Sequence, residues 1–76
     1  MKRADIFHSD PNILGGTPVF TGTRVPVESL IDHLKSGIRL EEFLDDFPTV
    51  TREQAEGFLD LAQKALLAEE GNAHPP

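Results

Sequence analysis

Apolar residues recur along the second half of the chain at the spacing of a helix face. Val27, Leu30, Ile31 and Leu34 fall at i, i+3, i+4 and i+7, and Leu40, Phe43, Leu44 and Phe47 repeat that spacing. Ala55, Phe58, Leu59, Ala62, Ala65 and Leu66 continue it as a third series. Three helices are predicted. Pro26 fits the first position of the first helix, where its missing N–H costs nothing, and Gly37 is its natural stop. The second helix runs from about Leu40 to Phe47 and ends at Pro48. For the third, Thr51 caps the start and Gln54 completes a capping box, with Val50 and Ala55 placed to close a hydrophobic staple. Gly57 lies inside this helix, where it costs about 1 kcal/mol relative to Ala, and a close helix crossing would explain it. The helix is expected to fade near Glu69-Glu70-Gly71.

The first third of the chain has no helical period. Residues 4–9, Ala-Asp-Ile-Phe-His-Ser, predict a short strand with Ile6 or Phe7 inward, and Asp10-Pro11-Asn12 is turn chemistry. Thr17 to Thr21 reads as a strand, with Thr21-Gly22 as a turn. The stretch from Gly15 to Val27 holds three of the six glycines and two of the six prolines. Such a density of residues with special backbone angles implies a specified shape. The expected architecture is one mainly α domain: a β arm over residues 1–25, a three-helix core of helix-turn-helix outline over 26–70, and a disordered tail over 71–76.

Composition narrows the function. A chain of 76 residues buries about 60% of its unfolded surface and often gains stability from a partner. It has no cysteine, which removes disulfides, thiolate metal sites and thiol nucleophiles. No apolar run approaches a membrane span, and no apolar segment follows Lys2-Arg3, so a cytoplasmic protein is expected. Residues 1–26 carry three basic and two acidic side chains, net +1, whereas residues 27–76 carry four basic and eleven acidic, net −7. The helical part should repel phosphate at long range and attract a basic partner.

Candidate chemistry is sparse. The carboxylates fall mainly on solvated helix faces. His8 with Asp5 and Asp10 makes a weak metal signature, so neither a metal nor a cofactor is expected. The glycine-rich stretch lacks the lysine and spacing of a phosphate-binding loop. No catalytic residue is assigned and the chain reads as non-catalytic. Arg24, beside a turn glycine and before the first helix, would contact a phosphate or acidic partner, or else pair internally with Glu28, Asp45 or Asp46. If the third helix reads DNA, Arg52 and Gln54 are suited to bases, but Glu53, Glu56 and Asp60 oppose phosphates. Leu61, Leu67 and Ala68 lie off the assigned core face. They either serve a partner groove or pack into the domain or a dimer mate.

The run D-P-N-I-L-G-G-T-P-V-F-T-G-T-R-V-P-V, followed by L-x-x-G and L-E-E-F-L-D-D-F-P-x-V-T-x-E-Q, closely resembles domain-of-unknown-function family 433 over roughly residues 6–66. The resemblance implies a homeodomain-like three-helix fold behind β structure and a VapB-type antitoxin role. Its implied partner is a PIN-like ribonuclease toxin, with possible binding to the protein's own promoter. The family motif falls on Gly16, Pro18, Val19, Gly22, Thr23, Arg24, Pro26, Gly37, Pro48 and Thr51, mostly residues that set shape. Arg39 departs from it, standing where many relatives carry a small hydroxyl cap, and is a further candidate contact. The reading therefore expects a non-enzymatic antitoxin that dimerises through its β arm. It contacts DNA through Arg24, Arg39, Arg52 and Gln54, and toxin through Leu61, Leu67 and Ala68. The alternative is a stand-alone DNA-binding regulator.

Overall fold

The computed structural model describes residues 1–73, with side chains through Glu69. Its elements, in chain order, are α1 (Arg3–Ile6), β1 (Phe7–His8), a 3₁₀ turn (Leu14–Gly16), β2 (Val19–Phe20), α2 (Val27–Lys35), α3 (Leu40–Asp46) and α4 (Arg52–Ala73). The protein is mainly helical, with a small two-stranded antiparallel sheet near its N-terminus that pairs Phe7 with Phe20 and His8 with Val19.

The three long helices fall where the apolar period places them. α2 ends in a Schellman motif: the Ile38 N–H bonds the His33 carbonyl at 2.9 Å, the Gly37 N–H bonds Leu34 at 3.0 Å, and Gly37 takes φ 83°. Pro26 is the N-cap of α2 and Val27 its first residue, a shift of one position, because Pro26 is held in extended geometry by a bridge to Val19. Arg39 occupies the N-cap of α3 and makes no side-chain cap there. The capping box of α4 forms as expected. The Gln54 N–H donates to Thr51 Oγ1 at 3.0 Å and the Thr51 N–H donates to Gln54 Oε1 at 3.1 Å. Val50 and Ala55, the two staple positions, are both buried in the core.

Phe20, Leu30, Phe43, Val50 and Ala55 form that core, one residue or more from each of β2, α2, α3 and α4 and the turn before α4. Aromatic rings run through it edge to face. Phe7 meets Phe58 at 5.7 Å, Phe58 meets Phe20 at 5.9 Å, and His33 meets both Phe43 and Phe47 across the α2–α3 junction.

Two expectations fail at the ends. Residues 4–9 are not one strand: Arg3–Ile6 make a helical turn and only Phe7–His8 pair. The turn persists because its free carbonyls find remote donors, Thr21 Oγ1 to Ala4 at 2.7 Å, the Thr21 N–H to Ile6 at 3.0 Å and Gln54 Nε2 to Asp5 at 3.2 Å. At the other end α4 continues through Ala73 instead of fading at Glu69, and residues 74–76 of the expected tail lie outside the described residues. Ala65 and Leu66, assigned to the core face, are exposed, because the domain beneath α4 ends before them.

Gly57 does mark a close crossing, but against α1. A Cβ placed there would sit 2.8 Å from Ile6 Cδ1.

Candidate functional site

The motif stretch is shaped by its own hydrogen bonds. Gly22 takes φ 81°, which reverses the chain after β2. The Thr23 hydroxyl then donates to the Phe20 carbonyl at 2.7 Å and accepts the Val25 N–H at 3.0 Å, while the Phe20 N–H bonds the Val25 carbonyl. This closed turn holds Arg24 at its exposed tip. Among the described residues Arg24 forms no ion pair, so the internal bridge to Glu28, Asp45 or Asp46 is absent. Arg24 lines an open groove of 640 Å³ with His8, Asp10, Thr23 and Thr49. Asp5, grouped with His8 and Asp10 in the sequence, instead accepts the Lys2 N–H. Among the described residues no cluster of three His, Cys, Asp or Glu could hold a metal.

Of the expected DNA-contact residues the structure brings only Arg39 and Arg52 together, both on Glu41. Gln54 is 7% exposed, and its amide is fully engaged by Thr51, Asp5 and Thr21. It is a structural tie between α4 and the arm, which corrects its assignment as a base reader. Arg52 lies on the surface but within an acidic network, 3.1 Å from Glu56 and 3.6 Å from Glu41, with Arg39 3.5 Å from the same Glu41. The hydrogen bond to Glu56, then the charges of Glu41 and Glu56, push the Arg52 guanidinium further above its ordinary range. The Glu41 carboxyl is lowered, first by its own backbone N–H and then by Arg39 and Arg52. Glu42, Asp45 and Asp46 are exposed on the same helix.

Leu67 and Ala68 are exposed as expected, Leu67 at 63%, whereas Leu61 is half-buried. Leu61 lines a second groove, of 480 Å³, formed where α1 and β1 meet α4. Phe7, Phe58, Ala62 and Ala65 make its apolar lining, and Arg3 and Lys64 add two cations. The sequence reading missed this groove because Arg3 and Phe7 reach α4 only through the α1 turn. It also missed Leu14, which is 51% exposed at φ 50°, a conformation unusual for a leucine.

These features define a small, mainly helical protein with a shaped N-terminal arm and an acidic helical surface. The chain belongs to the family described as Protein of unknown function (DUF433), which matches residues 8–62. It is also similar to a Sinorhizobium fredii (strain NBRC 101917 / NGR234) protein described as "Uncharacterized protein y4eO", at 42% identity over 50 residues. That alignment covers 66% of this chain and 23% of the relative, so the chain spans about a quarter of that protein's length. No solved structure matches.

Proposed function

We propose that this protein is a non-catalytic antitoxin-type inhibitor whose acidic helical surface covers the basic, RNA-binding face of a PIN-like ribonuclease. The observation that carries the proposal is α3. All four of its carboxylates, Glu41, Glu42, Asp45 and Asp46, are exposed, and the nearest arginine of α4, Arg52, is drawn into an ion pair with Glu41. A surface of this sign favours encounter with a cationic protein and opposes a phosphate backbone. Leu67 and Ala68, exposed on the terminal turns of α4, supply a separate apolar contact further along the helix. In this reading α2, α3 and α4 form a homeodomain-like unit whose helix-turn-helix outline serves protein contact first. Promoter binding is then a property of the toxin complex, to which Arg24 and the toxin contribute positive charge.

Co-expression with a PIN-like ribonuclease from the same genome tests the proposal. A stable complex and restored growth are expected. Replacing Glu42, Asp45 and Asp46 together by lysine should abolish both while leaving the fold intact. Absence of a complex and of rescue by the unaltered protein would sink it. Tight, salt-sensitive binding of the isolated protein to its upstream DNA, lost with Arg52→Ala, would support the stand-alone regulator instead.

A further inference from the structure

From Gln63 to Glu69 every side chain of α4 is exposed, and Leu66 is 66% exposed. Yet the apolar series of this helix does not stop where the domain stops. Phe58, Leu61, Ala62, Ala65 and Leu66 continue as one stripe at i, i+3, i+4, i+7 and i+8, with Glu69 closing it. Phe58, Leu61, Ala62 and Ala65 border the groove shared with Phe7 and Arg3, whereas Leu66 has no cover on its own chain.

We infer that the occupant of this groove is the end of α4 from a second copy of the chain, packed antiparallel. The stripe is complementary to itself. About a two-fold axis passing between residues 63 and 64, Ala62 faces Ala65 of the second copy, Leu61 faces its Leu66, and Phe58 faces its Glu69. Small side chains thus meet at the centre, where two helix backbones approach most closely, and leucines meet on either side. Leu66 of each copy enters the groove of the other beside Leu61. At the ends Glu69 of each copy comes to Phe58, where Arg3 lies over the Phe7 ring at 5.2 Å and offers a positive charge. Each contact occurs twice, as an isologous interface requires.

This seam differs from dimerisation through the β arm. β2 is already paired on both sides, by β1 and by the bridge from Val19 to Pro26, so the sheet offers only the two-residue outer edge of β1. The seam also leaves Leu67 available to a toxin, while Ala68, seven residues beyond Leu61, borders the seam. Leu67 is nine residues beyond Phe58, about half a turn round the helix, and points away from the second copy. The inference stands independently of the nature of any toxin.

Sedimentation velocity on the full chain, from roughly 1 µM to 500 µM, tests it; a single helix pair is a small interface, so a dissociation constant of roughly micromolar order is expected. Ala65→Arg places two charges at the centre of the seam and should raise the dissociation constant at least about tenfold, while the melting temperature of dilute monomer stays unchanged because Ala65 is exposed. Arg3→Glu should weaken the dimer several-fold, and Arg3→Glu combined with Glu69→Arg should restore it. A monomer across the whole range overturns the inference. So does a dimer that survives Ala65→Arg, or a double charge exchange that fails to recover the loss.

Discussion

Gln54 is the residue whose loss should separate structural from contact roles most clearly. Its side chain is 7% exposed and makes three hydrogen bonds: Nε2 donates to the carbonyls of Asp5 at 3.2 Å and Thr21 at 2.9 Å, and Oε1 accepts the Thr51 N–H at 3.1 Å. At about 1 kcal/mol each, Gln54→Ala removes about 3 kcal/mol, less whatever the Asp5 carbonyl recovers from water, so about 2–3 kcal/mol is expected. A domain of this length has only about 4–11 kcal/mol of stability in total. The melting temperature should fall by about 10–20 °C. The chain has no Trp or Tyr, so far-ultraviolet circular dichroism is the suitable signal for thermal and urea unfolding. Thr51→Ala is the internal control. It removes the capping hydroxyl alone and should cost about 1 kcal/mol. Gln54→Glu adds a sign test. The introduced carboxylate faces two carbonyl oxygens in a buried position, so its folded-state pKa is raised. Its deficit relative to the unaltered protein should be greatest above that pKa and shrink as pH falls through it. A loss below about 0.5 kcal/mol for Gln54→Ala, or one equal to that of Thr51→Ala, would refute the argument that Gln54 ties α4 to the arm.

The α1–α4 crossing predicts a coupled pair. Gly57→Ala gains about 1 kcal/mol of helix propensity but drives a methyl to 2.8 Å from Ile6 Cδ1, so a net loss is expected; adding Ile6→Val, which removes that atom, should cancel about 1 kcal/mol of it in a double-mutant cycle of urea midpoints. Gly22→Val should cost about 1–2 kcal/mol from backbone strain alone, since φ is 81° and nothing lies within 4 Å of the new Cβ. Arg24→Ala, at the exposed tip of the same turn, should leave the melting temperature unchanged and weaken partner binding; an equal loss of stability from both would make Arg24 structural. Arg39→Ser supplies the missing cap of α3 and should raise stability by about 0.5–1 kcal/mol in the same thermal assay.

The legible part of the fold is the part encoded locally. The apolar stripes of α2 and α3, the Gly37 stop and the Thr51–Gln54 box each depend on residues within a turn or two of one another, and each forms as the spacing predicts. The N-terminal turn was illegible for the opposite reason. The Asp5 carboxylate caps only the Lys2 N–H, and the carbonyls of Ala4-Asp5-Ile6 are satisfied from Thr21 and from Gln54, 49 positions away in the Asp5 bond. The same long bond explains why Gln54 was misread. Arg-x-Gln at the start of a helix after a tight turn is the pattern of a base-reading helix, and the Asp5 and Thr21 carbonyls of the arm are what hold that glutamine's amide inward. Arg24 was legible as a feature of the turn, since Gly22 and Thr23 fix its place, but its lack of an internal partner depended on where α3 came to lie.

The end of α4 shows why shape and contact are read differently from this chain. Burial of α4 on its own chain ends at Ala62, and the family match ends at residue 62 as well. Upstream of that point, the motif residues Gly16, Pro18, Gly22, Thr23 and Pro26 set backbone geometry and hand a fixed frame to the core. Downstream, Ala65, Leu66 and Leu67 keep an apolar character that the domain does not use. A solvated helix extension has no physical need for two adjacent leucines, each more than 60% exposed. Their separate faces divide the work: Leu66 continues the stripe that begins at Phe58, and Leu67 lies on the opposite side. One helix can thereby join a second copy and still present an apolar residue to a different protein. In the proposed antitoxin reading, the acidic surface of α3 selects which protein that is.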